Sequence, residues 1–486
     1  MALRLLQSSL LQGVTLRALL DFLAELVRQR CVSFDNLMAR LDALFHQSTL
    51  TRHSLNALSK AVAVCCACAG ISEVSKTVSC FISQITSEGS SSVLALYCVG
   101  EIGHAIDLSP SPALLPAVLA GFESSDEEMR SAASFALGSI ASGNPSAFLP
   151  LILKAVDETS SHEYLLLHAL KEMIGRGGKA LEAFAPQLLP KLLVFTERDE
   201  EGVRSVVGEC LGRLTAIAPD VVIPELSDLL TSDDASTRVT VISSLRTATI
   251  ELGAKPLPAA MQMALPSFLG LLADADLRVR HGAVLTLNGL AHAKPSAIKV
   301  ALPSLLPLLY AETAKKPELR HEVNLGPFKH TVDDGLEIRK AAFECMETLL
   351  ARCTDRLEFA DFLTHLLQGF KDEDDIQLLA HRMVIRLATN PASARVVTIT
   401  LDAMCEPLRA TLLRTLKDNA VKQQIDRHAE LVRSAMRACR ALEKMPNADT
   451  VVRFVELLRT LRGETLRDRY AAVCAEEENV NRAADE

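Results

Sequence analysis

Cysteine, histidine and glycine clusters are the places in this 486-residue chain where residue type and spacing could support chemistry. Cys65-Cys-Ala-Cys68 has the C-x-x-C spacing of metal and redox sites, but it lies in an apolar helical run without a second pair, and zinc takes about four ligands. His162 and His168 are not three or four residues apart, as two ligands on one helix face would be. Gly175-Arg-Gly-Gly178 lacks the Lys-Ser/Thr of a phosphate-binding loop. We therefore predict no metal ligand, no cofactor and no catalytic residue, in a chain that is not an enzyme.

The composition describes a mildly acidic chain with a large apolar fraction. Lys and Arg number 51 against 60 Asp and Glu, a formal net charge of −9 that disfavours nonspecific nucleic-acid binding. No stretch approaches the roughly 18 apolar residues of a membrane span, and the first residues lack a signal-peptide pattern. The 12 cysteines lie mostly inside apolar runs, as at Cys98, Cys210, Cys345 and Cys439. We expect a reduced protein of the cytoplasm and nucleus, with no nucleic-acid or membrane partner.

A leucine-proline or isoleucine-proline pair recurs every 34 to 42 residues, by subtraction of the proline numbers. Proline suits the first turn of a helix, because its missing N–H would have no partner there. We therefore predict that each pair opens the same helix of a repeated unit. The pairs are Leu115-Pro116, Leu149-Pro150, Leu189-Pro190, Ile223-Pro224, Leu265-Pro266 and Leu302-Pro303.

An acidic turn followed by arginine is a second periodic mark. It begins at Asp126, Asp199, Asp233, Asp274 and Asp333, and its arginines are Arg130, Arg204, Arg238, Arg280 and Arg339. The acid can cap a helix start, where its charge suits the positive end of the helix dipole. We expect the acid and the arginine to form a structural ladder between neighbouring units.

These periods predict an all-α fold, because two helices in about 40 residues are typical of HEAT or armadillo repeats. We expect a HEAT-repeat α-solenoid, a right-handed superhelix of helix pairs, with one inserted β-hairpin. The solenoid would fill residues 1–486 with about 10 to 12 repeats. The hairpin would occupy residues 318–333, and divergent helices with an acidic tail would occupy residues 446–486.

The hairpin is predicted from an excess of residues between Tyr310 and Asp333. Gly326-Pro327 would break any helix, and folding the chain around it pairs Leu325 with Phe328, Val323 with His330 and His321 with Val332. The other face pairs Asn324 with Lys329, Glu322 with Thr331 and Arg320 with Asp333. One face is thus apolar, and an isolated hairpin is only marginally stable in water. Two interpretations stay open: the apolar face packs back onto the solenoid, or it protrudes into a partner.

Several segments resemble the C-terminal half of the cullin-associated, neddylation-dissociated protein family. The segment Gly326-Pro-Phe-Lys-His-Thr-Val-Asp-Asp-Gly335 carries the resemblance most clearly. Gly100-Glu-Ile-Gly-His-Ala-Ile-Asp-Leu-Ser109, Ser131-Ala-Ala-Ser-Phe-Ala-Leu-Gly-Ser-Ile140 and Tyr164-Leu-Leu-Leu-His-Ala-Leu-Lys-Glu-Met173 agree in the same order along the chain. These segments are longer and more specific than a general HEAT pattern.

The resemblance implies a mechanism without catalysis. Members of this family wrap cullin–RING ubiquitin ligases that lack their ubiquitin-like modifier, and their C-terminal repeats embrace the N-terminal end of the cullin. A hairpin occupies part of the site of the substrate-receptor adaptor, so binding of one disfavours the other and receptors exchange. The residues that the resemblance assigns to partner binding are Glu322, Val323, Asn324, Leu325, Gly326, Pro327, Phe328, Lys329, His330, Thr331 and Val332.

The sequence departs from the family at both ends. It begins where the second half of the family begins, so we expect a separate N-terminal-half polypeptide as a partner, although a truncated gene product would look the same. The residues after Met445 do not follow the family pattern. Two further functions stay open. One is a general HEAT scaffold or transport receptor, and the other is a transcription cofactor that binds the TATA-binding factor.

Overall fold

The computed structural model describes residues 2–8, 10–45, 51–87, 91–158, 160–325, 328–416 and 419–485. The chain divides into two compact units, Met1–Glu251 (unit 1) and Leu252–Glu486 (unit 2). The units consist of helices joined by short turns. Among the described residues, no helix is both long and apolar enough to span a bilayer.

Unit 1 contains helices that follow one another in antiparallel pairs after a short 3-10 turn at Ala2–Gln7. They are α1 (Gly13–Arg28), α2 (Phe34–Phe45), α3 (Arg52–Ala67), α4 (Ile71–Thr86), α5 (Ser91–Ala105), α6 (Leu114–Ala120), α7 (Glu127–Gly143), α8 (Pro145–Glu158), α9 (Glu163–Gly177), α10 (Ala185–Leu193), α11 (Glu201–Ile217), α12 (Pro219–Asp228) and α13 (Ala235–Glu251).

Unit 2 continues the same plan and carries the two described strands. Its elements are α14 (Ala259–Leu269), α15 (Leu277–Ala293), α16 (Pro295–Ile298), α17 (Leu302–Ala311), β1 (Arg320–Leu325), β2 (Phe328–Asp333), α18 (Leu336–Arg352), α19 (Phe359–Gly369), α20 (Asp374–Thr389), α21 (Ala394–Leu413), α22 (Lys422–Glu443), α23 (Val452–Leu461) and α24 (Arg467–Asp485).

The second helix of each pair packs against the second helix of the next pair. In unit 1 this inner stack runs through α3, α5, α7, α9, α11 and α13, and in unit 2 it runs through α15, α18, α20, α22 and α24. Each inner helix is therefore covered on several sides, as the burial of Ile338, Ala341, Ala342, Cys345 and Leu349 along α18 illustrates. The predicted α-solenoid of helix pairs with one inserted hairpin is confirmed.

Glycine allows inner helices of unit 1 to approach each other closely. A Cβ atom on Gly138 of α7 would overlap the carbonyl oxygen of Ala169 in α9 and lie 2.7 Å from the Cβ of Glu172. A Cβ atom on Gly212 of α11 would lie 2.6 Å from the carbonyl oxygen of Ser244 in α13. Glycine at these positions lets one helix backbone rest against its neighbour.

An ion pair between a half-buried arginine and a buried glutamate also spans the inner stack of unit 1. Arg176 of α9 donates two hydrogen bonds to Glu101 of α5, at 2.9 and 2.7 Å, and a third to the hydroxyl of Ser139 in α7. Glu101 is buried. One arginine therefore ties three consecutive inner helices together.

The prediction that each leucine-proline pair opens a helix is wrong for four of the six pairs. Pro116 and Pro303 lie in the first turns of α6 and α17, but Pro150, Pro190, Pro224 and Pro266 lie inside their helices. An interior proline deprives the carbonyl four residues earlier of its hydrogen bond. The four interior prolines and the residues four positions before them are all exposed, so water can replace the lost bond. Each pair marks the outer helix of a repeat, but only Pro116 and Pro303 lie near the start of that helix.

The acidic turns cap helices in three of the five predicted repeats, whereas α11 and α18 begin without a side-chain cap. Asp126 caps α7 by accepting a hydrogen bond from the amide of Glu128, whereas Asp276, not Asp274, caps α15. Asp234, rather than Asp233, accepts from the amide of Thr237.

The arginines form the expected ladder between repeats only in part. Arg130 and Arg204 donate to carbonyl oxygens of their own preceding turns, at Ser124 and Asp199. Arg280 donates both to its own turn and to Glu312 of the next repeat, at 2.8 Å. The ladder is most developed at Arg339, which lies at the base of the hairpin.

Candidate functional site

The two strands pair as the sequence predicts. They are antiparallel with the register Arg320↔Asp333, His321↔Val332, Glu322↔Thr331, Val323↔His330, Asn324↔Lys329 and Leu325↔Phe328. This agreement confirms the pairing predicted from the alternation of apolar and polar residues. The predicted turn at Gly326 and Pro327 lies outside the described residues.

The hairpin is exposed on both faces near its base. On one face the side chains of His321 and Val332 are exposed, and Val332 has 38% of its surface accessible to solvent. Val323, on the same face as His321, is half-buried, whereas on the opposite face Glu322 and Thr331 are exposed. The side chains of Asn324, Leu325, Phe328, Lys329 and His330 lie outside the described part of the structure. At the base of the hairpin, therefore, the side chains of His321, Glu322, Thr331 and Val332 are open to solvent.

Arg339 of α18 fixes the second strand where it leaves the hairpin. Its guanidinium donates to both carboxylate oxygens of Asp333, at 3.1 and 3.0 Å. It also donates to both oxygens of Asp372 in the next repeat, at 2.9 and 3.1 Å. Arg339 is only 1% exposed and is the largest fully buried side chain described. Two carboxylates therefore compensate one buried cation, in the paired geometry that arginine favours.

The electrostatics of this cluster keep it charged. Burial alone would raise the pKa of Asp333, but the hydrogen bonds and charge of Arg339 outweigh burial and lower that pKa below its ordinary value. Burial opposes the charge of Arg339 as well, yet Asp372 and Asp333 raise the pKa of its guanidinium. The ion pairs thus persist at neutral pH.

Further hydrogen bonds hold the first strand and the adjoining turns. The amide of Asp334 donates to the carbonyl of Leu319 at 3.0 Å, which closes the base of the hairpin. Lys315 donates to the carbonyl of Lys371 at 2.9 Å and lies 3.5 Å from Asp372. β1 therefore begins, and β2 ends, at a base that hydrogen bonds connect to the following repeat.

The sequence did not reveal the part that Asp372 and Lys315 play in this base. The only available signal was an acidic run, Asp372-Glu-Asp-Asp375, that opens the repeat after Arg339. An acidic turn is common to several repeats. Its pairing with an arginine of the previous repeat becomes visible only from the stacking of α18 and α20.

The structure does not bring the cysteines and histidines considered first into a common site. Cys65 and Cys66 are buried in α3, and burial raises the pKa of each thiol to about 12. His162 contacts Glu123 at 2.7 Å, whereas the ring of His168 lies edge-to-face with Tyr164. Across the residues that the structure describes, no three His, Cys, Asp or Glu side chains are grouped so as to hold a metal ion.

The loop glycines have a conformational role instead. Gly178 ends α9 with φ at 54°, in the left-handed region that side chains other than glycine rarely adopt. The neighbouring Arg176 is engaged by Glu101.

Comparison with known proteins places the chain in a family. It is 38% identical over 492 aligned residues to the "Cullin-associated NEDD8-dissociated protein 1" of Dictyostelium discoideum, an alignment that covers 99% of this chain and 40% of that protein. This chain belongs to the cullin-associated NEDD8-dissociated protein family. The "Cullin-associated NEDD8-dissociated protein 1, C-terminal part" of Emericella nidulans is 34% identical over 79% of this chain and 37% of that protein. The chain thus spans about two fifths of the length of these curated family members.

A family model described as "TATA-binding protein interacting (TIP20)" matches residues 297–462. This range contains the hairpin and its base. Among solved structures, Kap95p with RanGDP is similar with a TM-score of 0.57 at 12% identity, covering 97% of this chain and 60% of that one. At that identity the likeness concerns the fold, and Kap95p is yeast importin-β. The family member described here therefore shares its helix-pair architecture with importin-β.

Proposed function

We propose that this chain is a regulatory binding protein of cullin–RING ubiquitin ligases, and that it binds the N-terminal region of an unmodified cullin. Its relatives are named for association with cullins, and one of them matches 99% of the chain. The observation that supports the proposal is a hairpin with exposed side chains near its base, which is held by the buried ion pairs of Arg339. It occurs in a chain whose relatives are named for their association with cullins.

The hairpin competes with the substrate-receptor adaptor for the cullin. The hairpin residues are Glu322 to Val332, of which Glu322, Thr331 and Val332 are exposed near the base. A projection held in place by Arg339 loses little conformational freedom on binding, which favours affinity. Two ligands with overlapping sites on one cullin weaken each other by the same factor. Receptor exchange follows from this reciprocity and requires no catalytic residue.

The test is a pull-down of an unmodified cullin–RING complex by the full chain, followed by addition of the adaptor. The variant Leu325→Ala with Phe328→Ala truncates the two apolar residues next to the turn. The control Met263→Ala with Ile399→Ala truncates two exposed apolar residues of α14 and α21. We expect binding that the adaptor displaces, that the hairpin variant weakens at least tenfold, or by about 1.4 kcal/mol, and that the control leaves unchanged.

Absence of binding by the wild-type chain, also in the presence of the matching N-terminal half, would refute the cullin proposal. Equal weakening by the hairpin variant and by the control would refute the assignment to the hairpin.

A separate N-terminal-half polypeptide is the second proposed partner. One family relative carries the words "C-terminal part" in its name. In unit 1, Leu10, Val14 and Phe22 are exposed on and before α1, where a group of apolar side chains can contact a partner. The substitutions Val14→Ser and Phe22→Ser would weaken co-elution with the N-terminal half, whereas Val452→Ser on α23 would not. Unchanged co-elution of the double variant would refute this surface.

Binding to the TATA-binding protein is a second candidate function. The match of residues 297–462 to a family model described by that interaction is the observation that favours it. A direct pull-down with purified TATA-binding protein tests it. Retention by the wild-type chain supports this role, and its absence would remove it.

We further propose that the chain occupies the cytoplasm and the nucleus. Its 12 cysteines are free in the structure, which suits reducing compartments. Imaging of a fluorescent fusion tests this, and restriction to any other compartment would contradict it.

A further inference from the structure

The arginines of the acidic turns share one geometry, which defines an equivalent residue in several repeats. In four repeats a side-chain oxygen six residues before the arginine accepts a hydrogen bond from the amide two residues further along, at 2.8 to 3.2 Å. Each arginine donates back to that same residue. We call this residue the turn residue. The turn residues are Ser124, Ser232, Asp274 and Asp333, which belong to Arg130, Arg238, Arg280 and Arg339.

In the two repeats of unit 2 the turn residue is an aspartate, and the arginine has a carboxylate partner. Arg339 donates to both carboxylate oxygens of Asp333, at 3.1 and 3.0 Å. Arg280 donates to the carbonyl oxygen of Asp274 and to the carboxylate of Glu312, each at 2.8 Å. An anion beside the arginine is therefore a feature of both turns.

The turn residue before α7 in unit 1 is a serine, and its arginine lacks such a partner. Arg130 donates to the carbonyl oxygens of Ser124 and Ser125, at 2.8 and 3.1 Å, and makes no ion pair with any residue that the structure describes. Arg130 is half-buried, so water screens its charge only in part. A neutral hydroxyl group thus occupies the place where Asp333 has its carboxylate.

The residues around Ser124 suit a kinase with a basic substrate cleft. Ser124 is partly exposed, and its neighbours Glu123 and Ser125 are exposed. Kinases select their substrates partly by complementary charge. Ser232 is followed by two acidic residues within four positions, whereas Ser124 is followed by three, Asp126, Glu127 and Glu128.

We propose that Ser124 is a phosphorylation site, and that its phosphate binds Arg130 as Asp333 binds Arg339. The hydroxyl oxygen of Ser124 forms a bond to the γ-phosphorus of ATP, and the bond from that phosphorus to the β–γ bridging oxygen breaks. ADP leaves, and the hydroxyl proton passes to the base of the kinase. The phosphorus lies one bond further from Cβ than the carboxyl carbon of an aspartate. Its oxygens therefore reach a guanidinium that already contacts the carbonyl of Ser124.

Two opposite electrostatic effects act on this phosphate. The carboxylates of Asp126, Glu127 and Glu128 repel it, but these residues are exposed, so water and salt weaken the repulsion. Arg130 is half-buried and within direct hydrogen-bonding reach, and hydrogen bonds between two charged groups are the stronger kind. The attraction to Arg130 therefore dominates, and it stabilises the doubly charged form of the phosphate.

The test treats the full chain with ATP and a purified kinase that prefers acidic substrates. Mass spectrometry maps the modified residue, and 31P NMR follows the titration of the phosphate. We expect modification of Ser124 in wild type and its loss in Ser124→Ala. In Arg130→Gln the phosphate should titrate about 0.5 pH units higher than in wild type, which is about a threefold change in proton affinity. Arg246→Gln, which removes a half-buried arginine of α13, is the matched control and should leave the titration unchanged.

The outcomes test the two parts of this inference separately. Wild-type protein without phosphate on Ser124, or with phosphate on Ser125 instead, would overturn the modification site. A phosphate on Ser124 that titrates at the same pH in wild type and in Arg130→Gln would overturn its binding to Arg130. An equal shift in Arg246→Gln would show a general charge effect and would also overturn that binding.

Discussion

Two kinds of junction between repeats, one from each unit, use different means, although unit 1 also contains the Arg176–Glu101 ion pair. In unit 1, Gly138 and Gly212 let inner helices touch through their backbones. In unit 2, the junction under the hairpin is a buried arginine between two carboxylates, Asp333 and Asp372. The first arrangement relies on shape and the second on directional hydrogen bonds.

The two junctions therefore contribute differently to the stability of the helix stack and to the orientation of the hairpin. A buried ion pair often contributes little net stability, because desolvation of the charges offsets their attraction. It does fix geometry, since Arg339 satisfies both carboxylates only in one arrangement of β2, α18 and the turn before α20. We infer that unit 2 uses this polar junction to orient a projection, whereas close packing in unit 1 serves the stability of the stack.

Removal of the polar junction should have the largest effect. Arg339→Met removes the arginine that Asp333 and Asp372 share and leaves them only the more distant Arg320 and Lys315. Breaking a buried pair in this way costs about 3–5 kcal/mol. Denaturant unfolding of the variant measures this loss, and hydrogen exchange shows whether it concentrates in β2, α18 and α20. Arg382→Met is the matched control, since Arg382 is exposed and contacts Glu347 at 2.7 Å. Equal effects of the two substitutions would contradict the importance of the junction.

The backbone contact in unit 1 should be the next most sensitive. Gly138→Ala places a methyl group against Ala169 and Glu172, so α7 and α9 must separate, at a cost of about 1–3 kcal/mol. Gly202→Ala in α11 is the control, because its Cβ would meet only Tyr164, at 3.7 Å. Alanine is the better helix former, so the control should gain up to about 1 kcal/mol. Thermal unfolding compares the two, and a neutral Gly138→Ala would refute close packing there.

A buried histidine gives unit 2 a dependence on pH. His381 of α20 is fully buried, neither ring nitrogen has a hydrogen-bond partner among the described residues, and burial lowers its pKa to about 3. The unfolded chain takes up a proton near pH 6.5 and the folded chain does not. The free energy of unfolding is therefore at its highest with respect to His381 above about pH 6.5, and it falls as the pH drops towards 3.

His381→Leu should abolish this contribution. Relative to wild type, the variant should gain about 2 kcal/mol between pH 7.5 and pH 5, as 1.36 kcal/mol per pH unit implies. Urea unfolding at the two pH values measures the gain. An unchanged difference between variant and wild type at the two values would contradict the burial of a neutral imidazole.

Surface pairs between outer helices should matter least. Lys191 of α10 contacts Asp157 of α8 at 2.7 Å, and both side chains are exposed. Lys191→Ala should lower the free energy of unfolding by no more than about 1 kcal/mol, and high salt should remove the difference. A larger loss that does not depend on salt would show that contacts between outer helices contribute as much to stability as contacts between inner helices.

The sequence predicted the helix pairs and the strand register because both follow from local periodicity. The alternation from Arg320 to Asp333 determines which residues face each other, and the stripe from Ile338 to Leu349 determines the buried side of α18. The sequence pattern did not predict the interior position of Pro150, because a proline usually marks a helix start. An exposed helix tolerates the hydrogen bond that this proline removes.

The candidate site was predicted less completely than the fold. The Asp333–Arg339–Asp372 cluster depends on how consecutive repeats stack, and residues about one repeat apart give no local signal.

The proposed exchange of receptors depends on competition between this chain and the adaptor at the cullin. The most direct measurement is the dissociation rate of the labelled chain from an unmodified cullin–RING complex at increasing adaptor concentration. We predict that the rate rises with adaptor for wild type, and that the Leu325→Ala, Phe328→Ala variant dissociates faster at the outset and responds less to adaptor. A wild-type dissociation rate that does not change with adaptor, while both proteins stay bound to one cullin, would contradict the proposed competition.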